Sequence, residues 1–318
     1  MNQYIENIQM EIGKVIKGKD EVIQKILTAI LARGNVLMED VPGVGKTTMA
    51  LAFARTMGLD TKRIQFTPDT MPSDIIGFSV YDKNTGKLTY KYGAVITNLL
   101  LADEINRTSS KTQSALLEAM EEKKVTVEGK TYLLPDPFIV LATQNPAGSA
   151  GTVMLPNSQL DRFMIKISMG YPDLQSQVEI LTDRHLSDPL DKIKPQVTRE
   201  QLRALISQAG TVMMEREVYE YAARLAEATR NHEMSDLGVS PRGTLALCRM
   251  AKARAFALGR DYVTPDDIQN VFKDVCSHRI ILSSKARLNE YTADQMLDEI
   301  LHTVEAPAAK EIKTVKDM

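Results

Sequence analysis

The sequence is poor in the residues that build metal clusters and disulfide frameworks. Its 318 residues include two cysteines, four histidines and no tryptophan. Cys248 and Cys276 lack the Cys-x-x-Cys spacing of zinc and redox motifs, so neither a disulfide framework nor a zinc cluster is expected. A reducing, cytoplasmic location is the corresponding prediction.

Long apolar runs and an excess of one charge are also missing. The most apolar stretches, residues 26–32, 99–102 and 138–142, are shorter than the about 20 residues that cross a bilayer. The acidic residues near the N-terminus do not fit a secretory signal. Lysine and arginine total 39 against 41 acidic residues, whereas nucleic-acid-binding domains carry a positive excess. We therefore predict no membrane span, and nucleic acid is a disfavoured partner unless a local basic patch binds it.

The chain is long enough for about two domains of roughly 150 residues each. In the first half, short β-like runs alternate with helical patterns, which predicts an α/β fold with a parallel sheet. Two segments with period-two alternation, 78–92 and 125–134, have turn residues at their middles and predict β-hairpins beside the sheet. The predicted strands of the α/β unit are 35–39, 63–67, 98–102, 138–142 and 163–167. The predicted helices are 47–57 and 112–122.

The pattern changes near Asp188, beyond which only helical periodicity remains. We therefore predict an α/β domain over residues 1–188 and an all-α domain over 189–304. Residues 305–318 contain too few apolar side chains to bury, and they are predicted to form a mobile tail. Three helix starts in the second half carry capping signals: Thr198 with Gln201, Thr264 with Asp267, and Thr292 with Gln295.

Residues 40–47, DVPGVGKT, follow a predicted strand and precede a predicted helix, which is the context of a phosphate-binding loop. Gly43 and Gly45 allow backbone N–H groups to approach the phosphates. Lys46 can reach the β- and γ-phosphates, and Thr47 can ligate Mg²⁺. Asp40 replaces the first glycine of the G-x-x-x-x-G-K-[ST] pattern, and we expect an unusual backbone conformation there. The alternative is a chance glycine-rich turn.

Two acidic residues, Asp103 and Glu104, follow the apolar predicted strand 98–102. The carboxyl ends of parallel strands form the edge at which α/β sheets bind ligands. Asp103 is therefore a candidate for the Mg²⁺ shell, and Glu104 for polarising the attacking water. Taken alone, such a pair often only caps a loop or a helix. Asn145 follows another predicted strand and is a candidate phosphate sensor, with an Asx-turn before Pro146 as the alternative.

Six motifs occur in order over nearly the whole chain: VPGVGKTT, LLLADEINR, KTQSALLEAMEE, ATQNP, LPNSQLDRF and VSPR. In this order they resemble the MoxR family of AAA+ ATPases, within the helix-2-insert group. The resemblance implies a P-loop AAA+ core with a parallel sheet and hairpin insertions, followed by an all-α lid domain. It also implies Mg²⁺-dependent ATP hydrolysis in a homo-oligomeric ring, a hexamer, in which the hairpin at 125–134 faces the pore.

By this resemblance, two arginines complete the site. Arg162, in LDRF, matches the arginine finger that contacts ATP bound to a neighbouring subunit; a surface ion pair with Asp161 is the alternative. Arg242, in VSPR, matches sensor 2 and is expected to point back to the phosphates; a solvated position on a helix surface is the alternative. A fixed guanidinium can stabilise transition-state charge and contributes on the order of 10³–10⁵ in rate.

The resemblance also assigns residues around the nucleotide. Residues 15–18 are expected to precede the first helix and to touch the adenine; apolar packing alone is the alternative explanation for Ile16. Gln65 or Thr67 is a candidate for restraining Glu104 between turnovers, and Arg107 lies either at a subunit interface or in an ion pair at a helix start. The predicted nucleotide-binding set is Ile16, Gly18, Pro42, Gly43, Val44, Gly45, Lys46, Thr47, Thr48 and Arg242.

What the hydrolysis is used for is implied by the resemblance alone. MoxR-type proteins are similar to chaperones that remodel or mature partner proteins, frequently ones with von Willebrand factor A domains, sometimes during insertion of a metal or cofactor. One alternative is a nucleic-acid-stimulated motor, in which Lys123, Lys124 and Lys130 would contact phosphates. Another is a regulatory scaffold that binds ATP and barely hydrolyses it. The candidate catalytic set argues against the scaffold: Asp103, Glu104, Asn145 and Arg162.

Overall fold

The α/β half of the chain is built on a five-stranded parallel sheet. The computed structural model describes residues 2–41, 43–83, 86–145, 154–183 and 188–307. Within these ranges the strands are β1 (Val36–Glu39), β2 (Thr61–Gln65), β3 (Gly77–Asp82), β4 (Lys87–Tyr92), β5 (Leu99–Asp103), β6 (Lys124–Val127), β7 (Lys130–Leu133), β8 (Ile139–Gln144), β9 (Ile165–Ile167), β10 (Ser235–Leu237) and β11 (Ile281–Leu282).

Helices cover the sheet and make up most of the second half of the chain. In the described ranges they are α1 (Gln3–Gly13), α2 (Asp20–Leu31), α3 (Lys46–Thr56), α4 (Pro72–Ile76), α5 (Ser110–Glu122), α6 (Asn157–Leu160), α7 (Leu174–Asp183), α8 (Arg199–Thr211), α9 (Arg216–Asn231), α10 (Pro241–Ala257), α11 (Pro265–Cys276), α12 (Ser284–Leu288) and α13 (Ala293–Thr303). Short 3-10 helices span Ile105–Arg107, Pro189–Lys192 and Ser277–Arg279.

The sheet has the strand order β2-β5-β8-β1-β9, and every neighbouring pair is parallel. β5 and β8 are buried along their whole length, as expected of central strands covered on both faces. The five predicted strands are confirmed, with boundaries shifted by one or two residues. β2 ends at Gln65 rather than at Thr67, because the Thr67 backbone N–H donates to the Thr70 hydroxyl (2.9 Å) instead of to a neighbouring strand.

Both predicted hairpins are present, and each forms a two-stranded antiparallel sheet separate from the main one. β3 pairs with β4, and β6 pairs with β7. The rings of Tyr90 in β4 and Tyr132 in β7 are stacked with their centroids 4.2 Å apart, so the two hairpins contact each other. Residues 84 and 85 of the first turn lie outside the described ranges.

A helix that the sequence pattern did not reveal, α1, precedes the adenine-binding candidate. Asn2 caps it by accepting a hydrogen bond from the Tyr4 backbone N–H (3.1 Å), and Ile5, Ile8 and Ile12 bury one face. Residues 15–18 therefore connect α1 to α2 rather than preceding the first helix, and that expectation is corrected. The spacing of the three isoleucines is the signal that would have revealed α1.

The second half is helical, and the prediction of an all-α domain needs one correction. β10 and β11 form an antiparallel ribbon of three and two residues, too short for alternation to be visible in the sequence. The predicted capping pairs are all formed, since each threonine backbone N–H donates to the side chain three residues later: Thr198 to Gln201 (2.8 Å), Thr264 to Asp267 (2.9 Å) and Thr292 to Gln295 (2.8 Å).

The C-terminal segment begins with a residue tied to the helical half. Arg224 donates a hydrogen bond to the Glu305 backbone carbonyl (3.0 Å). The remainder of the predicted tail, residues 308–318, lies outside the described ranges, and the domain boundary at residue 188 stays a prediction. None of the helices in the described ranges combines the length and apolarity that a bilayer span requires.

A buried polar cluster joins the two halves. Arg279 is buried and donates from Nε to Asp161 Oδ1 (2.8 Å), while its terminal amino groups reach backbone carbonyls, including that of Phe163. The Ser240 hydroxyl donates to Asp161 Oδ2 (2.9 Å). His278 Nε2 lies 3.3 Å from the Phe163 carbonyl. Because these contacts are charge-assisted and largely shielded from water, they fix the helical half against the end of the α/β half.

This cluster predicts a pH dependence of stability. Burial, together with the adjacent Arg279 guanidinium, holds the pKa of His278 well below its ordinary value. The unfolded chain therefore binds a proton that the folded chain excludes as the pH falls below about 6.5. The contribution of neutral His278 to stability is fully present above that pH. Below it, the free energy of unfolding is expected to fall by up to about 1.4 kcal/mol per pH unit.

Urea unfolding at several values between about pH 7.5 and 5.5 measures this effect. A His278→Gln variant is expected to have a lower free energy of unfolding than the wild-type protein. It should also lose the part of the pH dependence of that free energy that comes from His278. His302→Gln, which changes an exposed histidine, should keep the wild-type slope. Equal slopes for the His278→Gln and wild-type proteins would contradict the assignment.

Candidate active site

The phosphate-binding loop connects β1 to α3 at the carboxyl edge of the sheet. Gly43 and Gly45 have φ values of 86° and 96°, a region that side chains with a Cβ rarely adopt. Gly45 is the N-cap of α3, so the free N–H groups at the start of this helix border the loop. A helix N-terminus of this kind favours anions. Pro42, which belongs to the predicted set, lies outside the described ranges.

Lys46 is held against the loop. Its side chain is largely buried, and Nζ donates to the backbone carbonyls of Asp40 (2.8 Å) and Val41 (3.1 Å). These two carbonyls keep the ammonium at the loop rather than in bulk solvent. The position suits a lysine that moves a short distance to bind phosphate oxygens.

Asp40 does not have the expected unusual backbone conformation, because its φ is not positive. Its carboxylate instead accepts three hydrogen bonds from the segment after β9: from the Ser168 hydroxyl (2.7 Å) and from the backbone N–H groups of Met169 (2.7 Å) and Gly170 (3.0 Å). The side chain is buried. Aspartate at this position thus anchors the start of the loop to the segment that leads into α7.

A cleft of about 700 Å³ opens above the loop, a size within the usual range for small-molecule sites. Lys17, from the segment expected to touch the adenine, also lines it, as do Arg63 and Tyr171, which the sequence did not single out for nucleotide binding. Gly18 does not line it: Gly18 has a φ of 64° and packs so closely against Ser176 that a Cβ would lie 2.2 Å from the serine hydroxyl. The predicted residues that the cleft brings together are Ile16, Gly43, Val44, Gly45, Lys46, Thr47, Thr48, Asp103 and Glu104.

Asp103 and Glu104 meet β8 through one threonine that sequence reasoning missed. The Thr143 hydroxyl donates to Asp103 Oδ1 (2.6 Å) and accepts from the Glu104 backbone N–H (2.8 Å). The other oxygen of Asp103 accepts from a terminal amino group of Arg63 (2.8 Å). Glu104 has a φ of 56°, a strained conformation for a residue with a side chain. Thr143 thus fixes both acidic residues at the cleft.

The partner of the Glu104 carboxylate is Arg107. The Arg107 guanidinium donates to Glu104 Oε2 (2.9 Å), which is the ion pair at a helix start that the sequence left open. Gln65 accepts from Arg63 (2.8 Å), and the Thr67 hydroxyl contacts that of Thr70 (3.2 Å). The expectation that Gln65 or Thr67 restrains Glu104 is therefore not what this structure shows.

The donor set in the cleft fits Mg²⁺. Thr47 and Asp103 line the same cleft and supply one hydroxyl and one carboxylate. Mg²⁺ in nucleotide sites commonly uses few protein ligands and completes its octahedron with phosphate oxygens and water. The described residues contain no cluster of three or more histidine, cysteine or acidic side chains placed to hold a metal alone. Thr47 and Asp103 would therefore hold a nucleotide-bound Mg²⁺, which would neutralise phosphate charge.

Asn145 follows β8 directly and is buried. Its backbone is tied to Asn106, whose side-chain amide donates to the Asn145 carbonyl (3.1 Å) and whose oxygen accepts from the Asn145 N–H (3.3 Å). Because β8 lies beside β5, Asn145 is at the sheet edge that carries Asp103. Contact between the Asn145 side chain and a phosphate stays a prediction.

The two candidate arginines lie away from this cleft. Arg162 Nε is 3.3 Å from Glu121 Oε2, and a terminal amino group of Arg242 donates to Glu121 Oε1. The Asp161–Arg162 pair is not formed, since Asp161 binds Arg279 and Ser240 instead. Both arginines line a separate cavity of about 420 Å³. Arg242 thus does not line the cleft of its own chain in this structure, and its contact with nucleotide phosphates stays a prediction.

Comparisons with known proteins agree with this architecture. The family model described as "ATPase family associated with various cellular activities (AAA)" matches residues 35–165, and one described as "AAA lid domain" matches residues 227–300. A crystal structure of a protein from Cytophaga hutchinsonii superposes with a TM-score of 0.90 at 38% identity, and the match covers 96% of both chains.

Curated relatives are similar over nearly the full length. Chaperone MoxR1 of Mycobacterium tuberculosis is 38% identical over 95% of this chain and 82% of its own length. Protein MoxR of Methylorubrum extorquens is 29% identical over 94% of each chain. YeaC of Bacillus subtilis, an uncharacterized protein, is 45% identical over 94% of this chain and 93% of its own. The phosphate-binding loop, the acidic pair and these likenesses together establish that the chain belongs to the MoxR family of AAA+ ATPases and hydrolyses ATP.

Proposed function

We propose that Mg²⁺-dependent ATP hydrolysis by this chain drives remodelling or maturation of partner proteins, in a homo-oligomeric hexameric ring. The clients are proteins, among them ones with von Willebrand factor A domains, and the remodelling extends to insertion of a metal or cofactor. The name of the relative Chaperone MoxR1 supports a chaperone role. The observation that carries the proposal is the presentation of apolar side chains by the paired hairpins.

Six large apolar side chains on the hairpins are exposed to solvent. They are Phe78, Val80 and Tyr81 of β3, Leu88 and Tyr92 of β4, and Leu133 of β7. Tyr92 and Leu133 are 70% and 80% exposed. Exposed apolar side chains concentrated on two adjoining hairpins are typical of a surface that binds protein. The hairpins are thus the proposed contact with the client, and β6–β7 is the one proposed to face the pore.

The nucleic-acid alternative is weakened by what two of its three lysines contact. Lys123 Nζ donates to the Phe138 carbonyl (3.1 Å), and burial lowers the pKa of Lys123 to about 8. Lys124 Nζ lies 3.3 Å from a Glu122 carboxylate oxygen. Only Lys130 of the three has no such contact on the hairpin, so these lysines do not form a basic patch free to bind a phosphate backbone.

The position of Arg162 supports a ring. Its guanidinium does not line the cleft of its own chain, so a catalytic contact with nucleotide requires a second copy. Heterologous contacts of this kind close into rings when the rotation between neighbours closes. The regulatory-scaffold alternative is disfavoured because Asp103 and Glu104 both line the cleft beside the loop.

Both cysteines are consistent with a reducing, cytoplasmic location. Cys248 and Cys276 are free and buried. Burial raises the pKa of Cys276 to about 12, so this thiol stays protonated and unreactive at neutral pH.

A pull-down with Glu104→Gln tests the client proposal, because this variant is expected to hold ATP without turning it over. We expect a protein with a von Willebrand factor A domain to be retained in the presence of ATP and Mg²⁺. Lys46→Ala, which loses its phosphate contact, should not retain it. Stimulation of wild-type turnover by DNA or RNA, with no protein retained, would instead favour the nucleic-acid motor.

A further inference from the structure

A single carboxylate contacts both arginines that were expected to act on nucleotide. Glu121 lies near the end of α5, Arg162 follows α6, and Arg242 lies in the first turn of α10. Glu121 Oε2 is 3.3 Å from Arg162 Nε, while Oε1 accepts from a terminal amino group of Arg242. The three residues lie 41 to 121 positions apart in the chain, so their convergence is a product of the fold.

The direction of the contact leaves Arg162 able to bind a further anion. Glu121 faces Nε, the inner nitrogen of the guanidinium; this atom is buried, and its 3.3 Å contact with Glu121 Oε2 is an ion pair without a hydrogen bond. The two terminal amino groups of Arg162 donate no hydrogen bond within the described ranges of this chain. A planar guanidinium whose inner edge faces a carboxylate keeps its outer pair of donors for bidentate contact with a phosphate or a second carboxylate.

Electrostatics gives Glu121 a second effect. Arg162 and Arg242 share one carboxylate, and without it the two positive charges would repel each other. Asp161 cannot replace Glu121, because its two oxygens already accept from Arg279 and from Ser240. The surrounding cavity of about 420 Å³ has more cationic than anionic side chains: Arg33, Lys123, Arg162, Arg242, Arg249 and Arg279 against Glu121 and Asp161.

The backbones of Arg162 and Arg242 are fixed by contacts that do not involve Glu121. Asp161 immediately precedes Arg162 and is bound by the buried Arg279 (2.8 Å). Ser240, two residues before Arg242, caps α10 and donates to the same Asp161 (2.9 Å). The Asp161 cluster therefore fixes the backbone positions of the two arginines, whereas Glu121 fixes the positions of their guanidinium groups.

We infer that Glu121 is a positioning residue of the hydrolysis reaction. Its carboxylate holds Arg162 and Arg242 as a pair, with their free donors directed at the terminal phosphate of a nucleotide bound to a neighbouring copy of the chain. This inference rests on the proposed function, in which Arg162 acts on the nucleotide of a neighbour. Glu121 itself touches neither nucleotide nor water in the reaction.

Glu121→Gln tests the inference, with Glu122→Gln as the matched control. Glutamine keeps the shape of the side chain but loses the charge that holds two cations. We expect kcat to fall about 10- to 100-fold, as for a catalytic group displaced by about 1 Å. The nucleotide dissociation constant should stay at the wild-type value, because Glu121 does not line the cleft. Glu122 is half-exposed and pairs only with Lys124 among the described residues, so its variant should turn over ATP normally.

Mixing experiments separate positioning from a general structural role. Glu104→Gln subunits carry intact arginines, so adding them to Glu121→Gln subunits should restore turnover, whereas adding Arg162→Ala subunits should not. If Arg162→Ala is inactive, either of two results would overturn the inference about Glu121 and leave the proposed function standing. One is a wild-type kcat in Glu121→Gln, and the other is no recovery of turnover when Glu104→Gln subunits are added. Wild-type turnover in Arg162→Ala would overturn the proposed trans contact and the inference with it.

Discussion

Glu104→Gln is expected to bind ATP as the wild-type protein does and to lose nearly all turnover. Glutamine has the same shape as glutamate, and its amide oxygen can still accept the hydrogen bond from Arg107. The amide cannot, however, take a proton from the attacking water. Loss of a general base costs about 10²–10⁴ in rate, so turnover should fall by at least that range. Steady-state phosphate release and equilibrium binding of a fluorescent ATP analogue measure the two quantities.

Two further variants make this result specific. Lys46→Ala should lose binding, because Lys46 is the cation held at the phosphate-binding loop. Glu179→Gln makes the same chemical change on the exposed surface of α7 and should leave both quantities unchanged. Turnover by Glu104→Gln at the rate of the Glu179→Gln control would show that another group activates the water.

The features that the sequence predicted best are those whose signal is local. The glycines of the phosphate-binding loop, the strand before Asp103 and the three capping pairs each involve residues a few positions apart. Their conformations follow from short-range sterics and hydrogen bonding, which a pattern in the sequence records directly. The same reasoning explains why the strand boundaries shifted by only one or two residues.

The parts of the site that the sequence did not predict depend on distant pairs. Arg63 reaches Asp103 from the neighbouring strand, and Thr143 reaches both acidic residues from the other side. Asp40 was expected to distort the loop locally, but its carboxylate binds backbone N–H groups about 130 residues away. No periodicity or motif encodes such contacts, since they arise only when the strands assemble.

The position of Arg242 could not be predicted from the sequence for the same reason, on a larger scale. The VSPR motif correctly indicated a helix start, because Ser240 caps α10. The direction in which that helix faces depends on how the helical half docks, which the buried Arg279–Asp161 pair sets. Docking places Arg242 on Glu121 beside Arg162 and away from the phosphate-binding cleft of its own chain.

Arg162→Ala is expected to retain ATP and to lose turnover about as completely as Glu104→Gln. If the guanidinium stabilises charge on the phosphoryl group of a neighbour, its removal costs on the order of 10³–10⁵ in rate. ATP binding to the variant's own cleft should not change, because Arg162 does not line that cleft. Loss of the contact with Glu121 should affect stability little, since the pair is partly exposed.

Mixing the two inactive variants tests whether the site is shared. In an equal mixture, a productive interface needs an Arg162→Ala subunit to supply Glu104 and a Glu104→Gln subunit to supply Arg162. With random assembly about one interface in four meets this condition, so turnover should recover to about a quarter of the wild-type rate. Two copies of the same variant never form such an interface, so neither protein alone should recover at any concentration. Absence of recovery in rings shown by light scattering to contain both variants would contradict a trans-acting Arg162.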